Sequence, residues 1–231
     1  MIDQDARARI KEAVNDYLSD RITAFEFDER LFGIDTKDAT ARFVVGLLWH
    51  TYDDCKDHHV HLDKEAWDTV QRLLLLLESN AETDLRLQWH WHLSQLFACV
   101  ALVAIVSVCW ANWHLWPIPV LLGGLLSMAL SSWRWRVKAS LEDDPWHAWP
   151  FQSLEVLRRS LKATTGFRKH RYPPGIAGRR IRPTSVERAM NLQFRFAWCA
   201  LSPGALLFQC LPLKLTRVTV SVPGVVHAQV A

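Results

Sequence analysis

Residues 93–111, LSQLFACVALVAIVSVCWA, and residues 115–133, LWPIPVLLGGLLSMALSSW, decide the fold of this 231-residue chain. Neither stretch contains Asp, Glu, Lys or Arg, and the strongly polar Gln95 lies near the entry end of the first. Nineteen helical residues reach about 28 Å, close to the roughly 30 Å of hydrocarbon in a bilayer. Pro117 and Pro119 stand at the start of the second stretch, where a missing N–H costs a helix least. Only residues 112–114 separate the two runs, so the spacing predicts an antiparallel hairpin of transmembrane helices.

The flanks agree with that reading. Trp89, Trp91, Trp110, Trp113, Trp116, Trp133 and Trp135 cluster at the ends of the runs, where an amphipathic indole settles at headgroup depth. Arg86 precedes the first run and Arg134, Arg136 and Lys138 follow the second, while the turn has no Lys or Arg. The positive-inside rule then puts the N-terminus in the cytoplasm and the turn on the outer side. Ala98, Ala101, Ala104 and Ser107 on the first helix, with Gly123 and Ser127 on the second, would let backbones approach in a packed hairpin or an oligomer, although small residues are ordinary in spans. Without an intramembrane charge the pair reads as an anchor, and a pore would require several copies.

Ahead of the hairpin, residues 1–92 carry a net charge of −8, and residues 134–231 carry +11. The first 30 residues are charged throughout and offer no apolar core of the kind a secretory signal needs. Five Cys without a CxxC spacing indicate neither a disulfide framework nor a zinc knuckle. Ala6, Ile10, Val14, Leu18, Ile22 and Phe25 form one apolar stripe over residues 4–25, with a break expected near Asp20 because Thr23 and Glu26 have capping-box spacing. A third helix is predicted from about Ala39, and a fourth over Lys64–Glu78 capped by Asp63, its Leu73–Leu77 run central to a small bundle.

The most chemical-looking segment is WHTYDDCKDHHVH, residues 49–61. If the third helix continues through it, His50, Asp54, Asp57, His58 and His61 share one face at one-turn spacings that suit a divalent metal. Phe43 and Leu47 continue that face, and the next helix offers only Glu65 and Asp68, so the two-metal bundle pattern is incomplete and a solvated polar face explains the residues as well. His90 and His92, alternating with Trp89 and Trp91, suit a membrane interface. Phosphate-loop, dinucleotide, nucleophile-elbow and zinc-protease motifs are absent, and no cofactor is expected.

In the back half, Phe151, Leu154, Leu157 and Leu161 recur at helical spacing beside Arg158, Arg159 and Lys162, with Pro150 placed to be the first helical residue. Such a helix would lie on the membrane surface or pack on the front domain. Together with Arg134, Arg136, Lys138, Arg168, Lys169 and Arg171, its cations form a basic patch suited to anionic lipids, each worth about 1 kcal/mol near the leaflet. Nucleic acid is disfavoured because no recognisable binding module accompanies the charge, and docking of the acidic front on the basic back is a further alternative. Residues 196–213 are charge-free but broken by Pro203, Gly204 and Pro212, and suit a third span, a re-entrant loop or an interfacial segment. From Thr216 a short strand or disorder is expected.

The sequence thus predicts an all-α protein: a small cytoplasmic helical bundle (1–88), a transmembrane hairpin (89–135), a basic, amphipathic juxtamembrane region (136–190) and an apolar segment with a tail (191–231). The function expected is a membrane-anchored interaction module whose partners are the bilayer and a protein or a second copy of the chain. Alternatives are a metal-dependent enzyme using the 50–61 face and an oligomeric pore.

Overall fold

A computed structural model describes residues 2–115, 117–141, 147–200 and 202–222. Trp116 and the tail beyond residue 222, both subjects of the sequence reading, lie outside the described residues. The protein is mostly helical, with α1 (Gln4–Leu18), α2 (Ala24–Phe32), α3 (Ala39–Leu48), α4 (Lys64–Glu78), α5 (Leu93–Ala111), α6 (Pro117–Leu141), α7 (Leu154–Ala163), α8 (Thr184–Ala200) and α9 (Ser202–Gln209). The all-α expectation needs one correction: β1 (Glu82–His90) pairs with β2 (Leu213–Ser221). Ser221 Oγ, at the end of β2, donates to the Glu82 carbonyl at the start of β1 (3.3 Å), so the strands run antiparallel. Leu85, Leu87 and Trp89 alternate with Asp84, Arg86 and Gln88, which is the period of a strand.

The chain divides into two compact units that are not consecutive stretches of sequence. The first comprises Met1–Arg86, Asp144–Ile181 and Val218–Ala231, and the second Leu87–Asp143 and Arg182–Arg217.

In the first unit, side-chain caps set the helix starts. Asp3 accepts from the Ala6 N–H (3.0 Å), Asp63 from the Ala66 N–H (2.7 Å), and Thr23 and Glu26 form the expected reciprocal box at α2. Asp20 occupies the left-handed region (φ 59°), turning the chain between α1 and α2 as the predicted break requires. Leu73 to Leu77 are all buried, which makes α4 the centre of the bundle. Next to it, Arg7 and Asp38 form a nearly solvent-free ion pair, with Nε to Oδ2 at 2.7 Å and Nη2 to Oδ1 at 3.1 Å. Arg7 also donates to the Ala81 carbonyl (2.8 Å), while Asp38 caps α3 through the Thr40 and Ala41 N–H groups.

Residues from beyond the two long apolar runs complete this core. Trp67 Nε1 donates to the His170 carbonyl (3.0 Å), the His170 N–H to Gln71 Oε1 (2.8 Å), Arg72 Nε to the Trp149 carbonyl (2.6 Å) and Tyr172 Oη to the Leu62 carbonyl (2.9 Å). Phe151, Ile176, Val220 and Val222 are buried in the same cluster as Ile10, Phe27 and Trp67. Pro150 does not begin a helix. α7 starts at Leu154, where the Ser153 hydroxyl accepts from the Val156 N–H (3.3 Å). Its Val156 and Leu157 pack on the first unit's core, the outcome expected of a helix that docks on protein.

Candidate functional site

The second unit carries the two apolar runs, and its burial pattern is the reverse of a soluble domain. On α5, Leu96, Val100, Val103 and Val106 are each 55% to 65% exposed, and on α6 Ile118, Leu121, Leu122 and Leu125 lie in a similar range. What is buried between the helices is small or polar: Ser94, Gln95, Ala98, Gly123, Gly124 and Ser127, joined by Leu130 and Leu206. Of the small residues singled out by spacing, Ala98, Gly123 and Ser127 are inside, Ala101 is half-buried, and Ala104 and Ser107 face outward. Trp89, Trp91, Trp110, Trp113 and Trp135 are strongly exposed, and Trp133 less so.

α5 forms over Leu93–Ala111, with the boundaries its composition dictates. His92 caps it: Nδ1 accepts from the Ser94 N–H (3.2 Å), and Gln95 Oε1 accepts from the His92 N–H (2.6 Å). The Trp133 ring stands edge-on to the His92 ring with centroids 5.0 Å apart, which sets the end of the apolar part of α6 beside the start of α5. Among the described residues only α5 is long and apolar enough to cross a membrane. α6 starts at Pro117 and runs on through Arg134, Arg136 and Lys138 to Leu141, so prolines, glycines and serines dilute its apolar part.

A polar knot ties α9 to α6. Gln209, with 5% exposure, donates from Nε2 to the Ser127 carbonyl (2.9 Å), the Ser127 hydroxyl (2.9 Å) and the Ser131 hydroxyl (2.7 Å). Its Oε1 is buried without a hydrogen-bond partner among the described residues. Arg134 donates to the carbonyls of Gln209 (2.5 Å) and Leu211 (3.1 Å), satisfying acceptors that the end of α9 leaves open. Sequence reasoning passed over Gln209, although a lone amide in an otherwise apolar run is the usual sign of interhelical bonding. Residues 196–213 form no single helix, being divided between α8, α9 and the start of β2.

In the first unit, α3 ends at Leu48 and the backbone from Trp49 to Asp63 is irregular, so the one-turn spacings of the predicted metal face are not realised. Short side chains claim the backbone there in place of helical bonds. His58 Nε2 accepts from the Asp53 N–H (3.0 Å), which leaves the proton on Nδ1 to bond the His59 carbonyl (2.6 Å). Asp57 accepts from the Phe25 N–H (3.1 Å), and that bond holds its carboxyl below the ordinary value. His50 lies beside Glu65 and Trp149, whereas His61 shares a cleft with His58, His59, Asp20, Arg179 and Arg180. Asp54 joins Asp53 and Cys55, one potential ligand atom from each lying within 4.8 Å of the others. Asp20 receives two bonds from Arg179, at 2.6 and 2.9 Å, which hold its carboxyl below the ordinary value.

The predicted basic residues divide between the units. Arg134, Arg136 and Lys138 belong to α6, and Arg158, Arg159, Lys162, Arg168, Lys169 and Arg171 to the first unit. Arg159 pairs with Glu155 one turn earlier, and Lys169 with Asp68 (2.8 Å), while Arg158, Lys162, Arg168 and Arg171 are exposed. On the acidic side Asp5, Glu12, Glu29 and Asp35 are exposed and have no ion pair among the described residues. No family model, curated protein or solved structure matches the chain.

Proposed function

We propose that the protein is an integral membrane protein whose second unit is an anchor and whose first unit is a cytoplasmic module that binds a partner. The observation that carries the anchor is the reversed burial pattern: large apolar side chains outside, small and polar ones inside. Contiguous apolar surface of this kind, unfavourable in water, marks a contact with protein or membrane. Lipid removes that penalty, and small buried residues are then what lets helices pack.

Chain connectivity supports a return crossing by α6. The first unit contains residues from before α5 and from after α6, and one packed core cannot occupy both sides of a bilayer. If α5 crosses, α6 therefore crosses back, and the two form an antiparallel hairpin. Arg86 precedes the first run and Arg134, Arg136 and Lys138 follow the second, while residues 112–116 carry no Lys or Arg, which favours a cytoplasmic first unit and an outward turn. The exposed Arg158, Lys162, Arg168 and Arg171 suit contact with anionic headgroups, and the acidic Asp5, Glu12, Glu29 and Asp35 a basic protein partner.

Alkaline carbonate extraction of membranes tests the anchor. The full chain is expected to stay in the pellet and to be released by detergent, and its appearance in the carbonate supernatant would overturn the reading. Charge reversal at Asp5, Glu12, Glu29 and Asp35 tests the module: a protein that co-purifies in detergent should be lost while the unfolding transition is unchanged.

A further inference from the structure

We propose that the segment from α8 to the start of β2 is a re-entrant loop that enters the membrane and leaves on the same side, with α9 as a wedge in one leaflet. This rests on the membrane reading above. Residues up to Ile181 and from Val218 onward belong to the same packed unit, so the chain between them makes an even number of crossings. Two crossings are excluded by length, because the eight residues of α9 span only about 12 Å, less than half of the hydrocarbon thickness.

Contacts within the second unit hold α9 in that position. It packs against both α5 and α6, and Leu206 is fully buried between them. Arg134, directly after the apolar part of α6, binds the Gln209 and Leu211 carbonyls, so the end of α9 lies at the level of that flank. The chain then passes into β2, whose partner β1 leads straight into α5. Exit from α9 and entry to α5 thus share one end of the helices. From there α9 points inward, with Leu207 and Phe208 turned out at 59% and 73% exposure, a surface fit for acyl chains. Arg195 stands about 8 Å along α8 from the end that leads into α9, so the wedge itself carries no charge. Irregular backbone at such depth requires covering protein, which α5, α6 and the Gln209 amide supply.

The test uses the full chain in sealed vesicles, with single cysteines introduced as Asn112→Cys, Thr184→Cys, Gly204→Cys or Lys214→Cys in a background lacking the native ones. A Cβ at Gly204 meets nothing within 4 Å, so that substitution fits. With a membrane-impermeant maleimide, Thr184→Cys and Lys214→Cys should label from the face of the N-terminus and Asn112→Cys from the opposite face. Gly204→Cys should label at least about tenfold more slowly until detergent is added. Labelling of Lys214→Cys only from the Asn112 face would show a full crossing, and rapid labelling of Gly204→Cys in intact vesicles would show a surface segment; either overturns the wedge while leaving the hairpin in place. Labelling of Asn112→Cys from the N-terminal face would instead overturn the hairpin and the wedge with it. A protease site inserted after Pro212 in the chain with its native cysteines gives a second reading: cleavage from the N-terminal face is expected, and cleavage only from the other face overturns the proposal.

Discussion

Arg7 and Asp38 show how much one buried pair organises. Burial pushes the Asp38 carboxyl up, but the bonds from Arg7 and from the Asp3 and Ala41 N–H groups more than offset this and bring it down to about 2. Because the folded value lies below the ordinary 3.8, the pair's contribution is complete above about pH 4 and is lost as the pH falls toward 2. The loss is on the order of 2 kcal/mol, read as a drop in urea-unfolding stability of the detergent-solubilised chain between those pH values. Asp38→Ala leaves the guanidinium buried and unpaired, and should lower stability by about 3–5 kcal/mol at neutral pH. Replacing Arg7 with Met as well should recover only part of that: no charge is then stranded, but the Asp3, Thr40 and Ala41 N–H groups still lack their acceptor.

Among the elements, those whose borders the side chains mark were legible from the sequence. α4 begins after Asp63 and ends at Glu78 as its apolar spacing requires, and α5 begins and ends where charge and polarity stop. α2 starts at the Thr23 box, and Thr23→Ala should cost about 1 kcal/mol in thermal unfolding. The end of α3 was not legible, because Tyr52 and Cys55 continue its apolar spacing while Asp53, Asp57 and His58 take the backbone into a loop. The metal face depended on that helix continuing; where it stops, His50 lines one cleft while His58 and His61 share another. β1 was hidden because nearly all of it is exposed on both faces, so its sequence alternation marks no buried side. For α5 as a span, Val103→Lys places a cation near mid-helix and should disfavour insertion by about 2.5–3.5 kcal/mol, seen as a larger carbonate-extractable fraction.

At the scale of the whole molecule, the sequence divides the chain into consecutive blocks, while burial joins distant ones. No local signal announces that Phe151, Ile176 and Val220 pack with Ile10 and Trp67, because an apolar residue reads the same whichever neighbour it meets. A fragment ending at Arg86 retains four helices but exposes the side chains that those later residues cover. It should unfold less cooperatively than the first unit within the full chain and bind a hydrophobic dye, as judged by near-UV dichroism and fluorescence. The acidic front and basic back likewise meet inside this unit through Asp20 with Arg179 and Asp68 with Lys169.

That threading sets a timetable for the ribosome. Val220 is polymerised only after both long apolar runs have left the exit tunnel, so the earliest helices wait, incompletely covered, until synthesis reaches it. A nascent chain stalled just past Leu141 would offer chaperones an open face around Trp67, and release from them should coincide with synthesis of the closing strand.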